Sequence, residues 1–147
     1  MGLPALSVEA VRLGCTAGDK TDAVQQTGEV LLEIGAIDDP YIKAMHERER
    51  SMSTYIGEGV AIPHGTDESR VHVRRTGLSF LQFPEGVDWN GEEAKVCIGI
   101  ASQGDEHVGV LAALARILVV PEQAEQLRNA ASVDEVVRLL QPDDEEE

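Results

Sequence analysis

Aromatic residues make up only 3% of this 147-residue chain, so Leu, Val, Ile and Ala must fill whatever core it builds. Basic residues are scarce as well: 12 Lys and Arg stand against 27 Asp and Glu, a formal net charge of −15. A surface that acidic repels phosphate backbones and argues against nucleic acid as a partner, while it would attract a basic protein. Simple solubility is the other reading of the same charge. Two cysteines, Cys15 and Cys97, lie far apart and in no CxxC spacing, which reads as structural thiols in a reducing compartment. No apolar run approaches the ~20 residues a bilayer span needs. The start shows no basic segment followed by an apolar one, and Leu6 stands where a myristoylation signal requires Ser or Thr. The expectation is a soluble, cytoplasmic protein without membrane insertion. P-loop, GxSxG and GxGxxG patterns are also missing, so nucleotide binding and serine-hydrolase chemistry have no foothold.

What is present reads as one domain, with no internal repeat and no Gly/Ser/Pro linker. Residues after Pro142 form an acidic run, Asp143 to Glu147, expected to be a disordered tail. A first helix is predicted from Thr21 to Ile34, with Thr21 as its N-cap, Gly35 as its stop and Val24, Thr27, Gly28 and Leu31 on one face. A second should start at Pro40, capped by Asp38 or Asp39, and run to Arg50. Its inward face reads Tyr41, Ala44, Met45, Arg48. Short apolar runs at Gly59 to Ile62, Gly77 to Phe83 and Lys95 to Ala101 read as strands. Further helices follow at Asp105 to Leu118, Pro121 to Asn129 and Ser132 to Leu140, the last opened by a Ser132/Glu135 capping box. Strands alternating with helices give an α/β layered domain, with the strand order undetermined.

The four histidines differ. His46, off the apolar face of the second helix, and His72, in a charged stretch, read as solvated surface residues. His64 lies in Val60-Ala61-Ile62-Pro63-His64-Gly65-Thr66, directly after a strand. Pro63 ends the ladder and Gly65 permits a sharp turn, which leaves an imidazole on a stiff turn where α/β sheets collect ligands. His107 opens a helix just beyond the next strand. It is either a core residue on the Leu111, Leu114, Leu118 stripe or a neutral donor to an anion at a helix N-terminus. Arg48 brings a planar fork suited to phosphate oxygens, or merely snorkels to solvent. Two histidines, one arginine and no nearby catalytic carboxylate point to chemistry on an anion such as phosphate, with neutral imidazole as acceptor. Zinc binding by the histidine pair is the competing reading, but it would need three or four ligands.

At this point a resemblance is visible. Arg48-Glu49, Ser53-Thr54-Tyr55, Gly57 and Gly59 to Thr66 resemble the active-site signature of the enzyme IIA components of the bacterial phosphoenolpyruvate-dependent sugar phosphotransferase system. Gln82 to Val87, Ile98 to Ala101 leading into Asp105-Glu106-His107, and Ser132 to Val136 are similar to its mannitol branch. The resemblance covers residues 1–141 in order. It implies a mixed β-sheet flanked by helices. His64 would be the residue that accepts a phosphoryl group from the carrier HPr and passes it to a cysteine of the IIB component. His107 would hydrogen-bond that group, and Arg48 would stabilise its charge. No metal or organic cofactor is implied. The rival within the superfamily is a regulatory, nitrogen-related IIA-type protein that acts by phosphorylation-dependent binding.

Overall fold

The longest ladder in the molecule is a hairpin whose turn is written in two residues. Asn90 and Gly91 both have positive φ, 57° and 96°, the pattern of a two-residue primed turn. They join β4 (Gly77–Trp89) to β5 (Glu92–Ala101), which pair antiparallel from Gly77–Ala101 to Trp89–Glu92. The computed structural model describes residues 6–103 and 106–140. Around the hairpin stand β1 (Val11–Arg12), β2 (Tyr55–Gly57) and β3 (Val60–Ala61). The sheet has five strands in the order β1-β4-β5-β3-β2. β1 runs parallel to β4 and β3 parallel to β5, while β2 and β3 are antiparallel. This is the mixed α/β sheet expected.

The helices are α1 (Lys20–Glu33), α2 (Pro40–Ser51), α3 (Glu106–Leu118), α4 (Pro121–Arg128) and α5 (Val133–Leu139). α1 lies on β4 and β5 and packs against α2; α4 meets β5, and α5 meets β1. Ala23, Val24, Thr27, Gly28, Val30 and Leu31 form the buried stripe of α1. At Gly28 an added Cβ would lie 3.0 Å from Ile42 Cγ1 and 3.1 Å from Met45 Sδ, so the glycine sets how closely the two helices approach. The scarcity of aromatics is visible in the core, which is aliphatic around Phe80, Phe83 and Trp89. Cys97 is fully buried within it.

Several boundaries differ from expectation. Asp19, not Thr21, caps α1: its carboxylate accepts the Asp22 N–H at 2.8 Å. Asp39 stands at the N-cap of α2, one of the two positions expected, but makes no capping bond with its side chain; Asp38 pairs with Arg74. β4 runs six residues past Phe83 because an irregularity between Gln82 and Val87 absorbs Pro84, the bulge position where a strand tolerates proline. Gly86 has φ +82° in that bulge. The short β1 and β2 and the 3-10 turns Val8–Ala10 and Asp67–His72 were not anticipated. Ser132 does accept the Glu135 N–H at 3.2 Å, but the Glu135 carboxylate takes the Ala131 N–H rather than closing the box on Ser132. The acidic tail and Asp105 lie outside the described residues.

Candidate functional site

Beyond Ala61 the chain leaves β3 but keeps one more contact with β5: Ile100 N–H donates to Pro63 C=O at 3.0 Å, and His64 bridges Ile100 in parallel register. The turn is then clamped from above by α2. The Tyr41 hydroxyl accepts the Gly65 N–H and donates to Ile100 C=O, each at 2.9 Å. A side chain at residue 65 would meet Tyr41 Cε1 at 2.6 Å, so only glycine passes beneath the phenol ring. His64 is thereby held 6% exposed.

Its Nδ1 lies 2.8 Å from Ile62 C=O. A carbonyl only accepts, so Nδ1 carries the proton and Nε2 keeps its lone pair. Burial lowers the His64 pKa below the ordinary value, opposed by the Ile62 hydrogen bond and reinforced by the Arg48 charge. The ring is therefore neutral near pH 7.

α3 follows β5 and carries His107 at its second residue. The His64 and His107 ring centroids lie 5.0 Å apart, tilted by 55°. His107 Nδ1 is 2.9 Å from the hydroxyl of Ser102, a group that can donate or accept and so serves either tautomer. Burial first, then the neighbouring His64 and the charges of Arg70 and Arg48, lower the His107 pKa to about 4. A neutral His107 with Nδ1 accepting from Ser102 can donate Nε2–H to an anion.

Arg48, at the end of α2, is half-buried, and its Nη1 donates to Met52 C=O at 2.7 Å. It is not on the buried face as expected; that place belongs to Glu49, 5% exposed. The Glu49 charge acts on His64, in the direction that raises its pKa. Arg70, on the turn directly after His64, escapes a reading of the sequence alone, although its charge lowers the pKa of both histidines. A basic residue six places after His64 is the available signal. His46 is a correction too: it is half-buried, with Nε2 2.9 Å from Gln25 Oε1 on α1. His72 sits half-buried on the same turn as Arg70.

Among the described residues, no group of three or more His, Cys, Asp or Glu side chains could hold a metal ion. Nor is any single helix there long and apolar enough to cross a membrane.

Two neutral imidazoles with ring centroids 5.0 Å apart, and a guanidinium whose charge reaches both, are chemically suited to group transfer on an anion. The chain belongs to the EIIA 2 family of the phosphoenolpyruvate-dependent sugar phosphotransferase system, whose model matches residues 5–142. It is 38% identical over 94% of its length to the mannitol-specific phosphotransferase enzyme IIA component of Staphylococcus aureus, covering 96% of that protein. It is 43% identical over 92% of its length to the multiphosphoryl transfer protein of Escherichia coli O157:H7, of which it spans 36%. Among solved structures, a chain in the complex of enzyme IIAMTL and phosphorylated enzyme IIBMTL from Escherichia coli superposes with a TM-score of 0.86 at 40% identity, over 92% of this chain and 96% of that one. The protein is a phosphotransferase component of the sugar phosphotransferase system, with that family's mixed sheet and flanking helices.

Proposed function

We propose that the protein carries a phosphoryl group on His64 Nε2, taking it from phospho-HPr and giving it to the cysteine of a mannitol-type IIB component in the cytoplasm. The observation that carries this reading is the 2.8 Å hydrogen bond from His64 Nδ1 to Ile62 C=O. It fixes the proton on one nitrogen and leaves the other as the nucleophile.

In loading, the Nε2 lone pair forms a bond to phosphorus as the P–N bond to the HPr histidine breaks, and that electron pair returns to the HPr ring. In transfer onward, the IIB thiolate attacks and the P–N bond to His64 breaks, restoring the neutral imidazole. The phosphoryl oxygens gather negative charge throughout. Arg48 and a neutral His107 supply the stabilising charge and hydrogen bond, the positioning and electrostatic help that phosphoryl transfer needs. The histidines need no metal for this.

Docking of protein partners is supported by three exposed aliphatic residues. Met52 is 65% exposed, Val71 81% and Val108 72%; Met52 ends the helix of Arg48, Val71 lies beside Arg70 on the turn after His64, and Val108 follows His107 on α3. Exposed apolar side chains grouped around a reactive centre suit a protein partner. Identity to mannitol-specific relatives speaks for transport rather than for the regulatory, nitrogen-related alternative.

Incubation of the purified chain with phosphoenolpyruvate, enzyme I and HPr tests the reading by intact mass. The expected result is one acid-labile phosphoryl group on the wild type and none on His64→Ala, with the group passing to a mannitol IIB domain. No gain in mass with active phospho-HPr would sink it. Loading without onward transfer would favour the regulatory alternative.

A further inference from the structure

A glutamate buried inside a helix face needs a reason, because an ionised carboxylate taken out of water must be matched by donors. Glu49 has three. Oε2 accepts the Thr54 N–H at 3.0 Å and the Trp89 Nε1–H at 2.9 Å, and Oε1 accepts the Thr54 hydroxyl at 2.6 Å. Thr54 is 4% exposed and Trp89 1%, so none of these bonds competes with bulk water.

The chain of bonds continues. Thr54 C=O accepts the Ile62 N–H at 3.0 Å, and Ile62 C=O accepts His64 Nδ1–H at 2.8 Å. Residue by residue, Glu49 is thus linked through Thr54 and Ile62 to the ring of His64. At each of those two residues the N–H and C=O belong to different peptide units. The chain therefore transmits position rather than polarisation. A second arm serves Arg48. The turn that follows α2 is tied at Met52, whose N–H returns to Arg48 C=O at 3.0 Å and whose carbonyl takes the Arg48 guanidinium. Two residues on, the same turn is pinned by Glu49 through Thr54.

We propose that Glu49 is a positioning residue for phosphoryl transfer, its buried carboxylate anchoring both the hydrogen-bond chain that fixes His64 and the turn that holds Arg48. The inference rests on the reading of His64 as the phosphoryl carrier. It assigns Glu49 no contact with the phosphoryl group. Its effect is to hold the acceptor nitrogen and the guanidinium in register, where a displacement of about 1 Å costs on the order of 10²-fold in rate.

The test is 15N NMR of the histidine side chains together with the rate of transfer from phospho-HPr, in wild type, Glu49→Gln and Glu49→Ala. Wild type should show His64 as the single Nδ1–H tautomer. Gln fits the same donors: its carbonyl accepts from Thr54 N–H and Trp89 Nε1–H, and its amide donates to the Thr54 hydroxyl. It should keep the tautomer and most of the rate. Ala should admit the Nε2–H tautomer and slow transfer by about 10²-fold. A role confined to stability would lower the melting temperature and leave the tautomer alone, and that result in folded Glu49→Ala overturns the proposal. So does a Gln variant as slow as Ala, since charge and not anchoring would then be at work. If Glu49→Ala fails to fold, Thr54→Val loosens the anchor instead: it removes the hydroxyl bond to Glu49 Oε1 and leaves that buried oxygen without its donor. Some Nε2–H tautomer there supports the anchor, and none refutes it. The tautomer is read without any donor protein. A wild type that takes no phosphate would defeat the reading of His64, while the tautomer comparison would still decide whether Glu49 anchors the ring.

Discussion

The two histidines whose rings lie 5.0 Å apart are held in opposite ways. His64 is 6% exposed, its Nδ1 is fixed on a backbone carbonyl, and its loop is bonded to β5 and to Tyr41. His107 is half-buried in the first turn of α3, and its Nδ1 meets a hydroxyl that can turn either way. A nucleophile must present one nitrogen in one protonation state, and a fixed acceptor enforces that. A group that answers a changing charge benefits from a partner that can change with it. The site thus pairs a fixed side with an adjustable one.

The largest expected effects break the fixed side. His64→Ala should abolish loading altogether, whereas His107→Ala should still load from phospho-HPr and pass the group on poorly. Intact mass separates the two, and loss of all acid-labile phosphate from His107→Ala would mean that the roles are reversed. Arg48→Ala should slow transfer by about 10²-fold, the order expected when a charge-stabilising donor is lost. Quench-flow with phospho-HPr reads that loss, and an unchanged rate would leave Arg48 as a helix-end cap on Met52 alone.

Tyr41→Phe is a smaller test of the same clamp. It removes the acceptor of the buried Gly65 N–H and the donor to Ile100 C=O, and stranding a buried N–H costs roughly 1–3 kcal/mol. Urea unfolding should show a loss in that range. A loss near zero would indicate that the turn holds itself.

These contrasts also explain what could be read in the sequence. His64 was legible because its neighbours Pro63 and Gly65 act on the backbone, a local effect that a short window contains. The helices α1, α2 and α3 were legible from their spacing. Glu49 was not, because an ionisable residue in an amphipathic helix reads as solvent-facing. Its burial depends on Trp89, 40 positions away, and on the turn at Thr54. Tyr41, Ala44 and Met45 are buried as read, but the stripe ends on Glu49, the carboxylate with partners, and leaves Arg48 half-buried beside it. β1, two residues, and β2, three, are too short for alternation to show, and they form on the edges that β4 and β3 offer; β3 lies inside the run read as a strand at Gly59 to Ile62. The Asn90-Gly91 turn, by contrast, was a readable hairpin signal that the strand boundaries at Phe83 and Lys95 left unused.

The smallest effect is the one that sharpens the comparison most. Both histidines are depressed below the ordinary imidazole value by burial, His107 to about 4, whereas an unfolded histidine titrates near ~6.5. As pH falls from about 6.5 toward about 4, the unfolded chain takes up protons that folded His107 does not. The unfolded state then binds more protons, so stability rises with pH across that window and is lost as pH falls through it. A phosphoryl dianion on His64 reverses the local field, because a negative charge beside an imidazole favours the imidazolium. The loaded protein should therefore show a higher His107 pKa than the free one, and the acid-side loss of stability should shrink. Titrating the His107 ring by NMR before and after loading measures this directly, at a pH where the phosphohistidine survives. A His107 pKa unmoved by loading would show that the ring does not face the phosphoryl group, and the adjustable side of the site would then have to be assigned to Arg48 alone.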